Sequence, residues 1–183
     1  PAAFLTHRFL RPRPRIELGR QLRTVATAAM DVSDGLLTDL KKLCAASGVG
    51  AQLNVDLLPE SAAMRELFEA DDGLQYALAG GDDYELLFTL PAERAAAVLS
   101  TLQLQQRVTQ IGVITAGTDV VCLRNGQPFR IKRSGYDHFA SGDTGEPIAE
   151  SSVARASSLT TRKASMAGAG TGSPGGMLRC SRT

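Results

Sequence analysis

The stretch Met30-Asp31-Val32-Ser33-Asp34-Gly35-Leu36-Leu37 joins two kinds of periodicity. Ahead of it, Ala28, Ala29 and Met30 read as a short strand of small residues. Behind it, Leu36, Leu37, Leu40, Leu43 and Cys44 recur at helical spacing until Gly48 offers a stop. A strand turning straight into a helix leaves the first helical N–H groups without intrahelical partners and the positive end of the helix dipole uncovered. Phosphate oxygens are drawn to such an end. Two carboxylates beside it, Asp31 and Asp34, suit a hard divalent cation such as magnesium, and the Ser33 hydroxyl can donate to a phosphate oxygen. The same residues admit a plainer role, in which Ser33 or Asp34 simply caps the helix.

Working outward, Arg11-Pro12-Arg13-Pro14-Arg15 predicts an extended connector, because proline fixes its own backbone and biases the preceding residue away from helix. Residues 1–15 are therefore expected to be the remnant of an interdomain linker, with Pro1 an arbitrary cut. A short helix is expected from Glu17 through Leu18, Leu22 and Val25. Downstream, residues 51–55 read as a strand, Pro59 to Ala70 as a helix, and Tyr84 to Leu90 as a strand after the Gly80-Gly81 break. Pro91 opens a further helix with Ala95, Val98, Leu99 and Leu102 on one side. Val108 to Thr115 and Asp119 to Leu123 read as strands joined at Ala116-Gly117-Thr118, and Asn125-Gly126 is a hairpin signal leading to Phe129-Arg130-Ile131. Helices and strands interleave, with hairpins late, so the expectation for residues 16–140 is an α+β domain, a layered mixed sheet with helices.

Composition narrows the function. Five of the 20 basic residues (Arg155, Arg162, Lys163, Arg179 and Arg182) lie in residues 151–183, which carry no acid. That leaves 15 basic against 19 acidic residues over 1–150, about −4, which argues against a nucleic-acid binder. An acidic body that handles phosphate implies divalent metal, since carboxylates and phosphates otherwise repel. Three widely spaced cysteines, Cys44, Cys122 and Cys180, fit neither a disulfide framework nor a paired-cysteine zinc site, and they point to a reducing, cytoplasmic compartment. No run approaches the roughly 18 apolar residues of a membrane span. Within 151–183, Ser, Gly, Ala and Thr supply 21 of 33 residues, so residues 141–183 are expected to be a disordered tail.

Two further constellations carry candidate chemistry. In Gly80-Gly81-Asp82-Asp83-Tyr84-Glu85-Leu86-Leu87-Phe88 a glycine pair precedes adjacent acids at the start of an apolar strand. Alternation would put Asp82 and Tyr84 on one face and Asp83 and Glu85 on the other, and one face could meet a ligand. Alternatively the acids stay solvated while Leu86 and Phe88 pack inward. In Gly135-Tyr136-Asp137-His138-Phe139 an aromatic ring could stack on a planar cationic heterocycle, or else close the core. His138 reads as a structural hydrogen-bonding residue, because no nucleophile signature lies nearby.

Taken in order, Pro14-Arg15 with Gly19, Met30 to Leu36, Ser47-Gly48-Val49-Gly50-Ala51, Gly80 to Leu86, Ile111-Gly112 and Gly135 to Phe139 resemble the thiamine-monophosphate kinase family from about residue 10 to 140. The resemblance implies the C-terminal domain of the aminoimidazole ribonucleotide synthetase-like superfamily. It also implies transfer of the ATP γ-phosphoryl group to thiamine monophosphate, with magnesium, and a homodimer for the full-length enzyme. By that resemblance Asp31 and Asp34 would bind magnesium, Ser33 would contact ATP, Asp82 would contact the thiamine substrate and Tyr136 would supply the stacking ring, with Phe139 as the alternative ring. No side chain is assigned as a catalytic base, because the substrate phosphate is itself the nucleophile. The family's N-terminal domain has no counterpart in this sequence, so the chain alone is expected to show little or no kinase activity. Two other readings remain open: an inactive nucleotide-binding remnant, and another ATP-using member of the superfamily.

Overall fold

The computed structural model describes residues 1–103, 108–131 and 176–180. Helix α1 spans Ala2–Leu10 and α2 spans Ile16–Leu22; strand β1 (Ala28–Val32) then leads into α3 (Leu36–Ser47). Strand β2 (Gly50–Asn54) follows, then a single 3-10 turn and helices α4 (Ala62–Leu67) and α5 (Ala70–Ala79). After β3 (Glu85–Leu90) come α6 (Ala92–Gln103), β4 (Val108–Thr115), β5 (Val120–Arg124), β6 (Gln127–Phe129) and β7 (Gly176–Cys180).

The strands form one mixed sheet in the order β1-β3-β7-β4-β2-β5-β6. Strand β1 runs antiparallel to β3, pairing Val32 with Glu85 and Asp31 with Leu86, so the first two acidic motifs end at the same edge of the sheet. Alternation along β3 splits the core. Leu87 joins Val32, Leu36, Leu40, Leu53, Leu78 and Ile111 on the face covered by α3 and α5, whereas Phe88 and Leu90 join Leu18, Leu22 and Leu102 beneath α2 and α6. These are helix-sheet layers, the α+β arrangement expected. Gly48 ends α3 in the left-handed conformation, as its position predicts. Cys44 and Cys122 are buried with free thiols, and burial pushes the Cys122 thiol up to about 11.

Four elements differ from the sequence expectation. Residues 2–10, expected only as part of a linker remnant, form a helix, because the Arg-Pro alternation begins at residue 11 and Ala2 to Leu10 contains no proline. The helix expected from Pro59 to Ala70 is α4 alone. A separate α5 follows it, opened by Asp71 and Asp72 in its first turn and masked in the sequence by the poor helix former Gly73. Strands β4 and β5 are not partners across Ala116-Gly117-Thr118: β2 lies between them, antiparallel to β4 and parallel to β5, whereas β5 and β6 do pair antiparallel around Asn125-Gly126. Finally, Gly176–Cys180 of the tail is a strand, antiparallel to both β3 and β4. Two rows of backbone donors and acceptors face each other there, and a short segment satisfies both whatever its side-chain content. The rest of 141–183, and with it the Tyr136 and Phe139 candidates, lies outside the described residues.

Candidate phosphate and metal site

The mouth of the site is the junction between β1 and α3. Gly35 stands at the helix start with φ 111°, and a Cβ there would come within 3.0 Å of the Ala79 carbonyl oxygen at the end of α5. Gly35 thus serves the close approach of two elements rather than leaving an open floor for a ligand. Its neighbour in space is the glycine pair. A Cβ on Gly81 would lie 2.7 Å from the Ser33 carbonyl oxygen, and the Asp82 N–H donates to that oxygen at 2.9 Å. The Tyr84 N–H donates to the Val32 carbonyl at 2.9 Å, continuing the β1–β3 ladder backwards into the loop. Backbone contact therefore brings the two acidic motifs together.

Asp82 (φ 60°) and Tyr84 (φ 51°) both adopt the left-handed conformation, so the regular alternation expected from residue 82 onward begins only at Glu85. The two side chains still meet: the Tyr84 hydroxyl donates to Asp82 Oδ1 at 3.3 Å. Asp82 chiefly, with Asp31 and Asp34 behind it, holds the Tyr84 phenol above its ordinary range by disfavouring a fourth negative charge. Asp31, Asp34 and Asp82 thus share one electrostatic neighbourhood at the rim, with Asp31 and Asp82 exposed and Ser33 and Asp34 half-buried.

Two residues that the sequence did not single out organise this rim. Asp39 on α3 is fully buried, and its Oδ2 accepts from the backbone N–H groups of Ser33 at 2.9 Å and Asp34 at 3.0 Å. Those amides precede the helix, whose own open N–H groups begin at Leu36. Asp39 therefore fixes the turn. Lys42, one helical turn on, donates to Asp39 Oδ1 at 3.0 Å and also to Asp34 Oδ2. The bond to Asp34, then that to Asp39, raises the Lys42 pKa. An acid and a lysine at i, i+3 on one helix is a signal legible in the sequence.

Glu85 has a different fate from the other acids of its motif. It is fully buried, and three bonds from the N-terminal segment satisfy it: Arg15 Nε donates to Oε2 at 2.8 Å, Arg15 Nη2 to Oε1 at 2.7 Å and Arg8 Nη2 to Oε1 at 3.0 Å. The Arg15 contact is the bidentate fork that guanidinium geometry favours. Neither the ligand-facing nor the solvated reading of Asp83 and Glu85 describes Glu85, which is a structural anchor.

The rim supplies oxygen donors of the type a hard divalent cation takes. Among the described residues, no three His, Cys, Asp or Glu side chains gather into a metal-holding group. Carboxylate oxygen is the donor type magnesium takes, but the described acids do not by themselves enclose an ion.

The fold is a layered α+β domain in which two acidic motifs meet where a strand gives way to a helix. Residues 6–123 match the model of the AIR synthase related protein, C-terminal domain, and the chain belongs to that family. The thiamine-monophosphate kinase of Salmonella typhimurium is 44% identical over 142 residues, which is 76% of this chain and 44% of that protein. Its namesake from Escherichia coli strain K12 is 43% identical over the same shares. A crystal structure of thiamine-monophosphate kinase from Stenotrophomonas maltophilia superposes with TM-score 0.61 at 47% identity, covering 66% of this chain and 38% of that one. AaThiL complexed with AMPPCP and TMP superposes with TM-score 0.60 at 33% identity, covering 75% and 41%. The chain therefore spans less than half the length of these relatives.

Proposed function

We propose that this chain is the C-terminal part of an ATP-dependent thiamine-monophosphate kinase, which makes thiamine diphosphate. The observation that carries the reading is the backbone junction of the two acidic motifs, Asp82 N–H to the Ser33 carbonyl, in a chain so similar to enzymes of that name. A neighbour of the same fold that holds AMPPCP and TMP supports it further.

In this reading Asp31 and Asp34 hold magnesium, Ser33 contacts ATP, and Asp82 and Tyr136 contact the thiamine substrate. Bound magnesium would neutralise charge on the transferred phosphoryl group. The protein's own task is positioning. Asp39 holds the turn so that the Ser33 hydroxyl and the Asp34 carboxylate keep fixed places, and the Asp82–Tyr84 pair presents a carboxylate at the facing rim. No side chain need act as a base, because a phosphate monoester is already ionised near neutral pH. The two buried free thiols support a reducing compartment, and the proposal includes the cytoplasm. Among the described residues no helix is long and apolar enough to cross a membrane.

A chimera tests the reading: the upstream part of the Salmonella typhimurium enzyme is joined to this chain and assayed with ATP, magnesium and thiamine monophosphate. Thiamine diphosphate should form, and Asp34→Asn should abolish it. A folded chimera that binds nucleotide yet makes no product would sink the assignment. A second reading is an inactive nucleotide-binding remnant. Thermal stabilisation of the isolated chain by magnesium-ATP without turnover is its signature. Profiling the chimera on other acceptors separates a different ATP-using member of the superfamily.

A further inference from the structure

We propose that the Arg15–Glu85 bridge, backed by Arg8, is a positioning device for Asp82: gripped from the N-terminal segment, the buried carboxylate holds residues 82–84 in the backbone that presents Asp82 at the rim. This rests on the reading of Asp82 as a contact of the thiamine substrate. Asp82 and Tyr84 have φ of 60° and 51°, a region that a tyrosine leaves for extended backbone unless its surroundings over-determine it. The chain fixes this stretch at both ends. In front, the Asp82 N–H donates to the Ser33 carbonyl at 2.9 Å. Behind, the Tyr84 N–H donates to the Val32 carbonyl at 2.9 Å, and Glu85 pairs with Val32 as the first residue of β3. The Glu85 side chain, at 0% exposure, adds three guanidinium bonds that it would lose by moving. Relaxing Tyr84 to a negative φ would swing the chain on one side of it against the other. Either Asp82 would then leave the rim or Glu85 would leave its arginines. The bridge removes the second route, so the N-terminal segment, 70 residues away in sequence, sets where the Asp82 carboxylate stands.

The test compares Arg15→Lys, Glu85→Gln and their double variant with Asp82→Asn. Arg15→Lys keeps the charge and loses only the fork, so it carries the test even where Glu85→Gln does not fold. In the chain itself the Tyr84 phenol, held up chiefly by Asp82, reports whether Asp82 stays beside it, read as phenolate absorbance against Tyr84→Phe. Arg15→Lys and Glu85→Gln should each bring it toward its ordinary value, and the double variant should add nothing to Glu85→Gln alone. In the chimera, both variants and Asp82→Asn should raise KM for thiamine monophosphate about tenfold and leave kcat and the KM for ATP unchanged. A purely structural role would instead lower the active fraction, and with it kcat, at constant KM. If Tyr84 titrates as in the unaltered chain, or if it shifts while only Asp82→Asn raises KM, the positioning role is overturned and the reading of Asp82 survives. If Asp82→Asn leaves KM for thiamine monophosphate unchanged, the reading of Asp82 fails and the positioning role with it.

Discussion

Asp82 and Glu85 stand three residues apart in one acidic motif and have opposite roles. Glu85 is at 0% exposure with Arg8 and Arg15 side chains at 16% and 15% around it, a carboxylate whose charge is spent on holding the N-terminal segment against β3. Asp82 sits at the exposed rim with Asp31 and Asp34, where the described cation is Lys42, itself half in solvent. A buried acid with two guanidiniums is complete without a ligand. The rim acids, with the Lys42 ammonium at Asp34 and the Tyr84 hydroxyl at Asp82, lie where solvent and a ligand can reach them. Carboxylates of the same motif are therefore divided between buried anchor and exposed rim by what the fold packs against them, not by their spacing in sequence.

If that division is right, the largest effect on stability should come from the anchored side. Glu85→Ala leaves two mostly buried guanidiniums without their acid and should lower the unfolding free energy by about 3 kcal/mol in urea titrations. A loss below about 1 kcal/mol would place Glu85 among the surface acids. Next, Gly81→Ala should cost roughly 2 kcal/mol, because its Cβ would meet the Ser33 carbonyl at 2.7 Å. Hydrogen exchange at the Asp82 amide should quicken with it. Asp39→Ala should cost about 1 to 2 kcal/mol and release the Ser33 and Asp34 amides to exchange.

On the binding side the structural effects should shrink. Asp82→Asn should change stability by less than about 0.5 kcal/mol. It should, however, bring the Tyr84 phenol down toward its ordinary value, read as phenolate absorbance against a Tyr84→Phe reference. The sign follows from the raised pKa. Folded Tyr84 keeps its proton longer than the unfolded chain does, so its contribution to stability is complete below the ordinary phenol range and is lost as pH rises through the folded value. Asp82→Asn should flatten that alkaline loss, and added magnesium should do the same.

Much of this was readable from residue order. The change from strand to helical periodicity across Met30 to Leu37 located β1, α3 and the junction between them, and Gly48 marked the helix end, because each rests on local backbone preference. Pairings over long distances left no such trace. Nothing local in Asp119 to Leu123 reveals that β2 separates it from β4, and nothing in Gly176–Cys180 announces a strand between β3 and β4. The site divides in the same way. Asp31, Ser33, Asp34 and Asp82 stand out in the sequence because acids beside a helix start and a glycine pair have an immediate chemical meaning. The structure brings them to one rim, while Tyr136 lies outside the described residues. Glu85 was read as an open or solvated acid because its partners, Arg8 and Arg15, are 77 and 70 residues away. Asp39 and Lys42 offer the sequence only an acid and a lysine three residues apart, and only the folded turn shows that Asp39 holds the loop and that Lys42 bonds Asp34.

The division between anchored and ligand-seeking acids is tested most directly by calorimetric titration of magnesium-AMPPCP into the chain and into the Asp31→Asn/Asp34→Asn double variant. The account predicts that the unaltered chain binds and that the double variant, with its unfolding free energy unchanged within about 1 kcal/mol, binds at least tenfold more weakly. Equal affinity in the two proteins, or no binding to either, would contradict it.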